Sequence, residues 1–322
     1  MDKAGKEIID AAIIEKTSIL LMLLEEVALN ATLQNRVCLH GGTALNLFIL
    51  DSPRLSLDAD LNYIGSVQRE VMLKERFLVD EALHKIAQGL SFRMEAGSDE
   101  HAGRTYKMIY TSDVTGQRDF VKVDMDYLNR SPLLPVVRKE STWGEKSGVA
   151  IPLNAPIEIA GGKMMALFGR VVPRDLYDMA SLAKNRQACS TGDTELDRKV
   201  MLFYLSLSDS FPRPIAIRKR FGAFEEAIEK NLIPVLLNGD HPKLDDMIEA
   251  VEDYVGELTT PKTDNERAYL EEMRNANYKP ELLFDGYPEV LEAAKENPRM
   301  MWKLQNLKKN LISTPEKSQE LE

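Results

Sequence analysis

The sequence predicts an α/β protein of the α+β kind, in which a mixed sheet with helices occupies the first half and helices alone the second. Three observations predict it. Short alternating runs of strand length cluster between residues 37 and 127, separated by the turn signals Gly97, Gly103 and Gly116. Beyond residue 156 apolar residues recur at helical spacing, with few strand-like runs. The length of 322 residues, 44% hydrophobic, buries at least one sizeable core and allows about two domains. The change of pattern puts a boundary near residue 185, with domains at 1–185 and 186–322.

From 7 to about 33, Ile9, Ile13, Leu20, Leu23, Leu24 and Val27 follow one face of a long helix. Val37, Cys38 and Leu39 then read as a short buried strand, Gly41 and Gly42 as a turn, and 43–50 as a short helix capped by Thr43. Over 54–64 the residues alternate. Leu57, Ala59, Leu61 and Tyr63 point one way, and Asp58, Asp60 and Asn62 the other. A helix at 69–88 and strands at 91–95, 104–110 and 120–127 follow. Pro132, Pro135, Pro152 and Pro156 mark the stretch around Trp143 as a connector. Helices are expected at 162–168, 173–184, 194–207, 223–232, 244–255, 265–275 and 288–312, the last interrupted at Pro298, with a frayed polar tail over 313–322.

Composition excludes several classes. The apolar run around 19–24 is flanked by Glu15, Lys16, Glu25 and Glu26, well short of the roughly 18 apolar residues that span a membrane. The start, Met1-Asp2-Lys3, lacks the pattern of a signal peptide, and two cysteines, Cys38 and Cys189, offer no disulfide framework. Both point to a cytoplasmic protein. Four scattered histidines without a cysteine pair exclude a zinc site, so any metal is a hard, oxygen-bound ion. The net charge of −10 confines any nucleic-acid contact to local basic patches.

The chemistry-bearing residues follow in order. A glycine turn between strand and helix, as at Gly41, Gly42 and Thr43, lets backbone N–H groups approach a phosphate, although most such turns are purely structural. Asp58 and Asp60, two apart on a strand, leave the same face and are able to share a divalent cation. A solvated strand face with Arg54 as surface partner gives the same pattern. In Val121-Lys122-Val123-Asp124-Met125-Asp126 a further carboxylate face appears, and an ordinary amphipathic edge strand reads alike. Two-metal phosphoryl transfer needs such a cluster of carboxylates.

These residues resemble a known family. His40-Gly41-Gly42-Thr43-Ala44-Leu45 with Arg54-Leu55-Ser56-Leu57-Asp58-Ala59-Asp60-Leu61 is similar to the glycine-turn and paired-aspartate signature of the AbiEii-type nucleotidyltransferase toxins of type IV toxin–antitoxin systems, within the DNA polymerase β-like superfamily. The stretch 122–126 resembles their third-carboxylate strand. Gly162-Lys163-Met164-Met165-Ala166-Leu167 with Arg170, then Arg174-Asp175-Leu176-Tyr177-Asp178, resembles the lysine helix and the Arg-Asp-x-x-Asp motif that follow. The resemblance runs from about 37 to 183. It implies a polymerase β-like domain followed by a helical one, and Mg²⁺ (or Mn²⁺) held by Asp58, Asp60 and Asp124. Asp124 would be the base for the incoming hydroxyl, Lys163 the triphosphate contact, and Asp178 would complete the catalytic set. Gly41, Gly42, Thr43, Arg54, Ser56 and Lys163 would bind the NTP. Residue chemistry leaves Arg174 and Asp178 as a possible i, i+4 pair and Asp175 as a rival to Asp178. Lys163 near a helix start would oppose the dipole, so an anion partner is expected there, with a surface lysine as the alternative.

The expected activity is transfer of a nucleoside monophosphate from an NTP to RNA, the tRNA 3′ end in particular, which blocks translation and requires a cognate antitoxin; the RNA acceptor follows from the resemblance alone. A protein or an aminoglycoside is the alternative acceptor, and a non-catalytic nucleotide- or partner-binding module the alternative of another class. Two basic clusters, Arg213, Arg218, Lys219 and Arg220, and Arg299, Lys303, Lys308 and Lys309 near Trp302, are candidates for an RNA backbone path. Tyr278, Tyr287 and Trp302 read as packing residues, and Cys38 as a buried one rather than a nucleophile.

Overall fold

A computed structural model describes residues 3–50, 52, 54–98, 100, 102–213, 216–236 and 240–313. His101 and residues 314–322 of the expected tail lie outside these; Ser313 itself ends the last helix.

A seven-stranded mixed sheet forms the frame: β1 (Val37–His40), β2 (Asp58–Tyr63), β3 (Arg93–Ala96), β4 (Gly103–Thr111), β5 (Arg118–Asp126), β6 (Val137–Lys139) and β7 (Ile151–Leu153), in the order β3-β4-β5-β2-β1-β7-β6. β2 runs parallel to β5 and β1 parallel to β7; the other pairs are antiparallel. β5 shows why these residues form a strand. Val121, Val123 and Met125 are buried while Lys122, Asp124 and Asp126 on the other face are half-buried, the period-2 alternation of a sheet covered on one side.

Helices α1 (Lys3–Leu29), α2 (Gly41–Ala44) and α3 (Arg69–Gly89) belong to the same half, and α4 (Pro156–Gly169) and α5 (Pro173–Lys184) follow it. Then come α6 (Thr194–Leu207), α7 (Ile217–Phe221), α8 (Glu225–Asn231), α9 (Leu244–Thr259), α10 (Asp264–Arg274), α11 (Glu281–Phe284), α12 (Pro288–Lys295) and α13 (Pro298–Ser313). α10 opens on a full capping box, Thr263 with Glu266. One apolar core runs without a break from Leu20 on α1 to Leu304 on α13. No helix among the described residues is long and apolar enough to cross a membrane.

Several details differ from the expectation, the short helices α7 and α11 among them. The connector holds two strands, β6 and β7, because Ile151, Pro152 and Leu153 are all buried beside β1; tertiary burial outweighs the proline signal. α4 begins at Pro156, a residue preset for a helix start, and not at Gly162. Gly161 lies inside it because a Cβ there would stand 2.5 Å from the ring of Tyr204 on α6, so the glycine lets the two helices close up. Thr43 does not cap its helix: its hydroxyl donates to the carbonyl of Asp58, and the turn continues as a π-helix over Leu45–Ile49. The alternating strand starts at Asp58, and Arg54 makes only an isolated bridge with Leu236.

Candidate functional site

The glycine turn and the aspartates meet at one end of the central strands. In the antiparallel register of β1 and β2, His40 faces Asp60, and in the parallel register of β2 and β5, Asp60 faces Asp124. Gly41 has φ +72°, and a Cβ on it would stand 2.1 Å from Asp60 Oδ2. Only glycine combines that backbone with that approach. A Cβ on Gly42 would stand 2.9 Å from Arg54 Nη2, 3.1 Å from Ser56 Oγ and 3.3 Å from Lys163 Nζ. Residue 42 thus leaves a small concavity faced by two cations and a hydroxyl, which suits a tetrahedral anion.

Those cations are fixed from behind. Arg54 donates to both oxygens of Asp178, Nε to Oδ1 at 2.7 Å and Nη2 to Oδ2 at 2.9 Å, and Lys163 Nζ lies 2.6 Å from Oδ2. All three side chains are buried, Asp178 completely. Asn46 Nδ2 ties Asp178 Oδ1 (3.3 Å) to the carbonyl of Gly42 (2.9 Å), so the carboxylate and the glycine turn share a clamp. Burial works against the charge of Asp178, but Arg54 and Lys163 hold its carboxyl well below the usual range. With two cations about one anion, a net positive charge faces Gly42.

The structure therefore decides several alternatives. Arg54 is not a surface partner of the strand aspartates, nor Lys163 a surface lysine near a helix start; Lys163 is in the middle of α4, buried, and its partner is Asp178. Asp178 does not pair with Arg174, which is exposed on the same helix. Asp175 takes a different partner, Arg170, through two hydrogen bonds of 2.6 and 3.0 Å.

The strand aspartates have the opposite character. Asp58 is exposed and Asp60 half-buried. Partial burial and the neighbouring Asp60 raise the carboxyl of Asp58, against the pull of Lys122. Asp124 accepts from Lys122 Nζ at 2.5 Å and from Thr105 Oγ1 at 2.6 Å. Asp126 accepts from the backbone N–H groups of Leu128 and Asn129. Among the described residues no group of three or more His, Cys, Asp and Glu side chains forms a cage that could hold a metal. The fit to a divalent ion therefore rests on two carboxylates: hard oxygen donors with excess negative charge suit Mg²⁺, which commonly takes one or two carboxylates and fills its shell with water and substrate phosphate.

Two clefts meet here. One, of about 400 Å³, runs from Gly41, Gly42 and Lys163 past Asp60 and Asn62 to Tyr204 and Asn297, with Arg170 and Arg299 also along it. The other, about 390 Å³, lies over Asp124 and the strand ends near Gly103 and Arg104. His40 and Asp60 line both. Helices of the second half wall the first cleft. Glu158 on α4 braces that wall, accepting from the N–H groups of Leu133 (2.8 Å) and Leu134 (3.2 Å) and from the Tyr204 hydroxyl (3.0 Å); burial pushes it up to about 7.

The structure brings together Gly41, Gly42, Arg54, Ser56, Asp60 and Lys163, with Asp178 behind them, and sets Asp124 beside Asp60 on the neighbouring strand. Thr43 faces the backbone of β2. The basic clusters divide. Lys303 is buried and donates to the carbonyl of Ser208, and burial lowers its ammonium; Asp209 opposes this, while Arg213 and Arg299 add to it. Arg299 lines the first cleft, whereas Arg218 pairs with Asp245 and Glu252. Asn46 and Asn62 are residues of the site that the sequence hardly marks, since a single asparagine carries little pattern. The position of Asn46 four residues after Gly42 was the available signal. Cys38 is buried, its thiol raised by burial and bonded to Asn154 Oδ1 at 2.6 Å.

The fold is similar to that of MenT4, a nucleotidyltransferase toxin of Mycobacterium tuberculosis H37Rv, with 17% identity, a TM-score of 0.54, and 91% of this chain and 98% of that one covered. JHP933 of Helicobacter pylori is more distant, at 14% identity and a TM-score of 0.42 over 94% of this chain and 95% of the other. Among curated proteins none matches. The model of the nucleotidyl transferase AbiEii toxin family of type IV toxin–antitoxin systems matches residues 23–268, from α1 into α10, and the chain belongs to that family of nucleotidyltransferase toxins.

Proposed function

We propose that the protein transfers a nucleoside monophosphate from an NTP to the 3′ end of an RNA, the tRNA acceptor end in particular, and thereby stops translation in the cytoplasm until a cognate antitoxin intervenes. The observation that carries the reading is the juxtaposition at Gly42: a concavity faced by Arg54, Ser56 and Lys163 opens beside Asp60. Arg54 and Lys163 bind the triphosphate through charge-assisted hydrogen bonds, Ser56 and the backbone of Gly42 and Thr43 complete the cradle, and Asp178 keeps both cations aimed.

Asp58 and Asp60 are the residues that would hold Mg²⁺ or Mn²⁺, with Asp124 close by on β5. When bound, that ion stabilises the charge that develops on the phosphates. The acceptor oxygen attacks the α-phosphorus, the α–β P–O bond breaks and pyrophosphate leaves. The proton of the acceptor hydroxyl passes to a carboxylate oxygen of Asp124, which Lys122 and Thr105 hold in place. Arg170, Arg299 and Arg213 give the negative chain a local basic edge for an RNA backbone.

One observation favours a second acceptor class. The cleft over Asp124 is acidic: Glu100, Asp124 and Asp126 line it, and its Arg104 is paired with Asp80. A cationic acceptor, a protein side chain or an aminoglycoside, suits it. Incubation with each labelled NTP, Mg²⁺ and a tRNA pool, beside a protein lysate and an aminoglycoside, separates the two: label on RNA supports the first reading, and label only on protein or drug overturns it.

A further inference from the structure

We propose that Asn62 is the residue with which the first cleft recognises the nucleoside of its NTP, through a hydrogen bond between its side-chain amide and that nucleoside. The inference rests on the placement of the triphosphate at Gly42 and Lys163 given above. Asn62 follows Asp60 by two residues on β2, so both side chains leave the same face, on the order of 6–7 Å apart along the strand. With the α-phosphate at Asp60, the nucleoside extends along the cleft that Asn62 lines.

The other asparagines along the cleft are already committed. Asn154 Oδ1 accepts from Cys38, Asn129 bridges Asp126 and Arg299, and Asn297 donates to the carbonyl of Ser131 and accepts from the N–H of Met300. Asn62 is only 3% exposed, and its Oδ1 has no hydrogen-bond partner among the described residues. A buried amide oxygen without a donor is unfavourable, and an apolar residue would pack there at no such cost. The position makes sense when a ligand in the cleft supplies the partner of the amide. Two parts of a nucleoside can supply it, the ribose hydroxyls and the polar edge of the base.

The test measures kcat, KM and calorimetric Kd for ATP, GTP, CTP and UTP, and for the 2′-deoxy form of the best of them, on the full chain with Mg²⁺. Wild type is compared with Asn62→Ala and with Asn62→Ser, whose hydroxyl can still hydrogen-bond. Asn62→Ala is expected to raise KM and Kd about 10- to 100-fold, the loss of a buried hydrogen bond to a ligand, with kcat changed less and Asn62→Ser in between. A ribose contact shows as equal weakening of all four ribonucleotides and a collapsed preference over the deoxy form. A base contact shows as a flattened preference among the four. A folded Asn62→Ala with wild-type constants and preferences overturns the inference and leaves the nucleotidyl reading intact; if that variant does not fold, the same outcome in Asn62→Ser does so. Wild type that binds NTPs but transfers nothing defeats the proposed reaction alone, and the Kd values still decide Asn62. Wild type that binds no NTP removes both.

Discussion

Two charged clusters stand next to each other in this site and are built on opposite plans. Around Asp178, two cations surround one carboxylate, every member is buried, and each hydrogen bond is short and directed. Around Asp60, three carboxylates gather with Lys122 as the cation among them, and the groups are exposed or half-buried. The first cluster is finished without a ligand and presents a positive face to Gly42. The second is electrostatically incomplete, and the raised carboxyl of Asp58 is the sign of it. Under the proposed function the contrast is a division of labour: the buried cluster would shape the anion cradle, and the open one would supply the reactive edge.

The sharpest way to break this contrast is Asp178→Ala. It strands Arg54 and Lys163 as buried, unpaired cations, and is expected to cost about 3–5 kcal/mol in urea unfolding, since removing one partner of a buried ion pair leaves an uncompensated charge. An unfolding midpoint like that of wild type would remove Asp178 from its structural role. The pH dependence has a fixed sign. The folded carboxyl is lowered, so its stabilisation is present above the ordinary carboxylate value of about 4 and declines as pH falls below it.

Asp60→Ala should do the reverse, leaving stability nearly intact while transfer falls on the order of 10²- to 10³-fold, as for loss of one group that stabilises transition-state charge. Transfer within a few-fold of wild type, measured with labelled NTP, would argue against the open cluster as the reactive edge.

Lys163→Met removes one cradle cation but leaves the two-point contact of Arg54 with Asp178. KM for the NTP is expected to rise about 10- to 100-fold, in line with one charge-assisted hydrogen bond. An unchanged KM together with a large loss of stability would make Lys163 purely structural.

The smallest effect on stability is expected from Asp58→Asn, and its sign separates the clusters. The folded Asp58 carboxyl is raised, so its contribution favours the fold at low pH, below its unfolded value, and is lost as pH rises through the folded one. Asparagine removes that burden. The variant should therefore melt slightly higher than wild type near pH 7.5, show no such gain near pH 4, and transfer poorly. Differential scanning calorimetry at the two pH values checks it; a lower melting temperature at pH 7.5 would mean Asp58 is stabilising and the cluster not incomplete.

By itself the sequence determined five of the strands, most of the helices and the residues on each carboxylate face, because these are local in pattern; that β5 lies beside β2 and joins the two faces into one cluster was decided by the sheet. Val121 to Asp126 alternates, so the face carrying Asp124 follows from a period of two, and Asp58 and Asp60 follow from the same rule. Thr194–Leu207 was legible as a helix from its spacing alone. The buried cluster is of another kind. Arg54, Lys163 and Asp178 are 124 residues apart at their extremes, and nothing in their local pattern says that Arg54 and Lys163 are buried around Asp178 and not at the surface. Only the packing of α4 and α5 against the sheet decides that, since an ion pair satisfies three buried charges only when all three meet. Tertiary structure likewise decided that Ile151–Leu153 is a strand beside β1, and that Asn62, read as one of three polar residues on a carboxylate face, lies buried in the cleft with its carbonyl oxygen unpartnered.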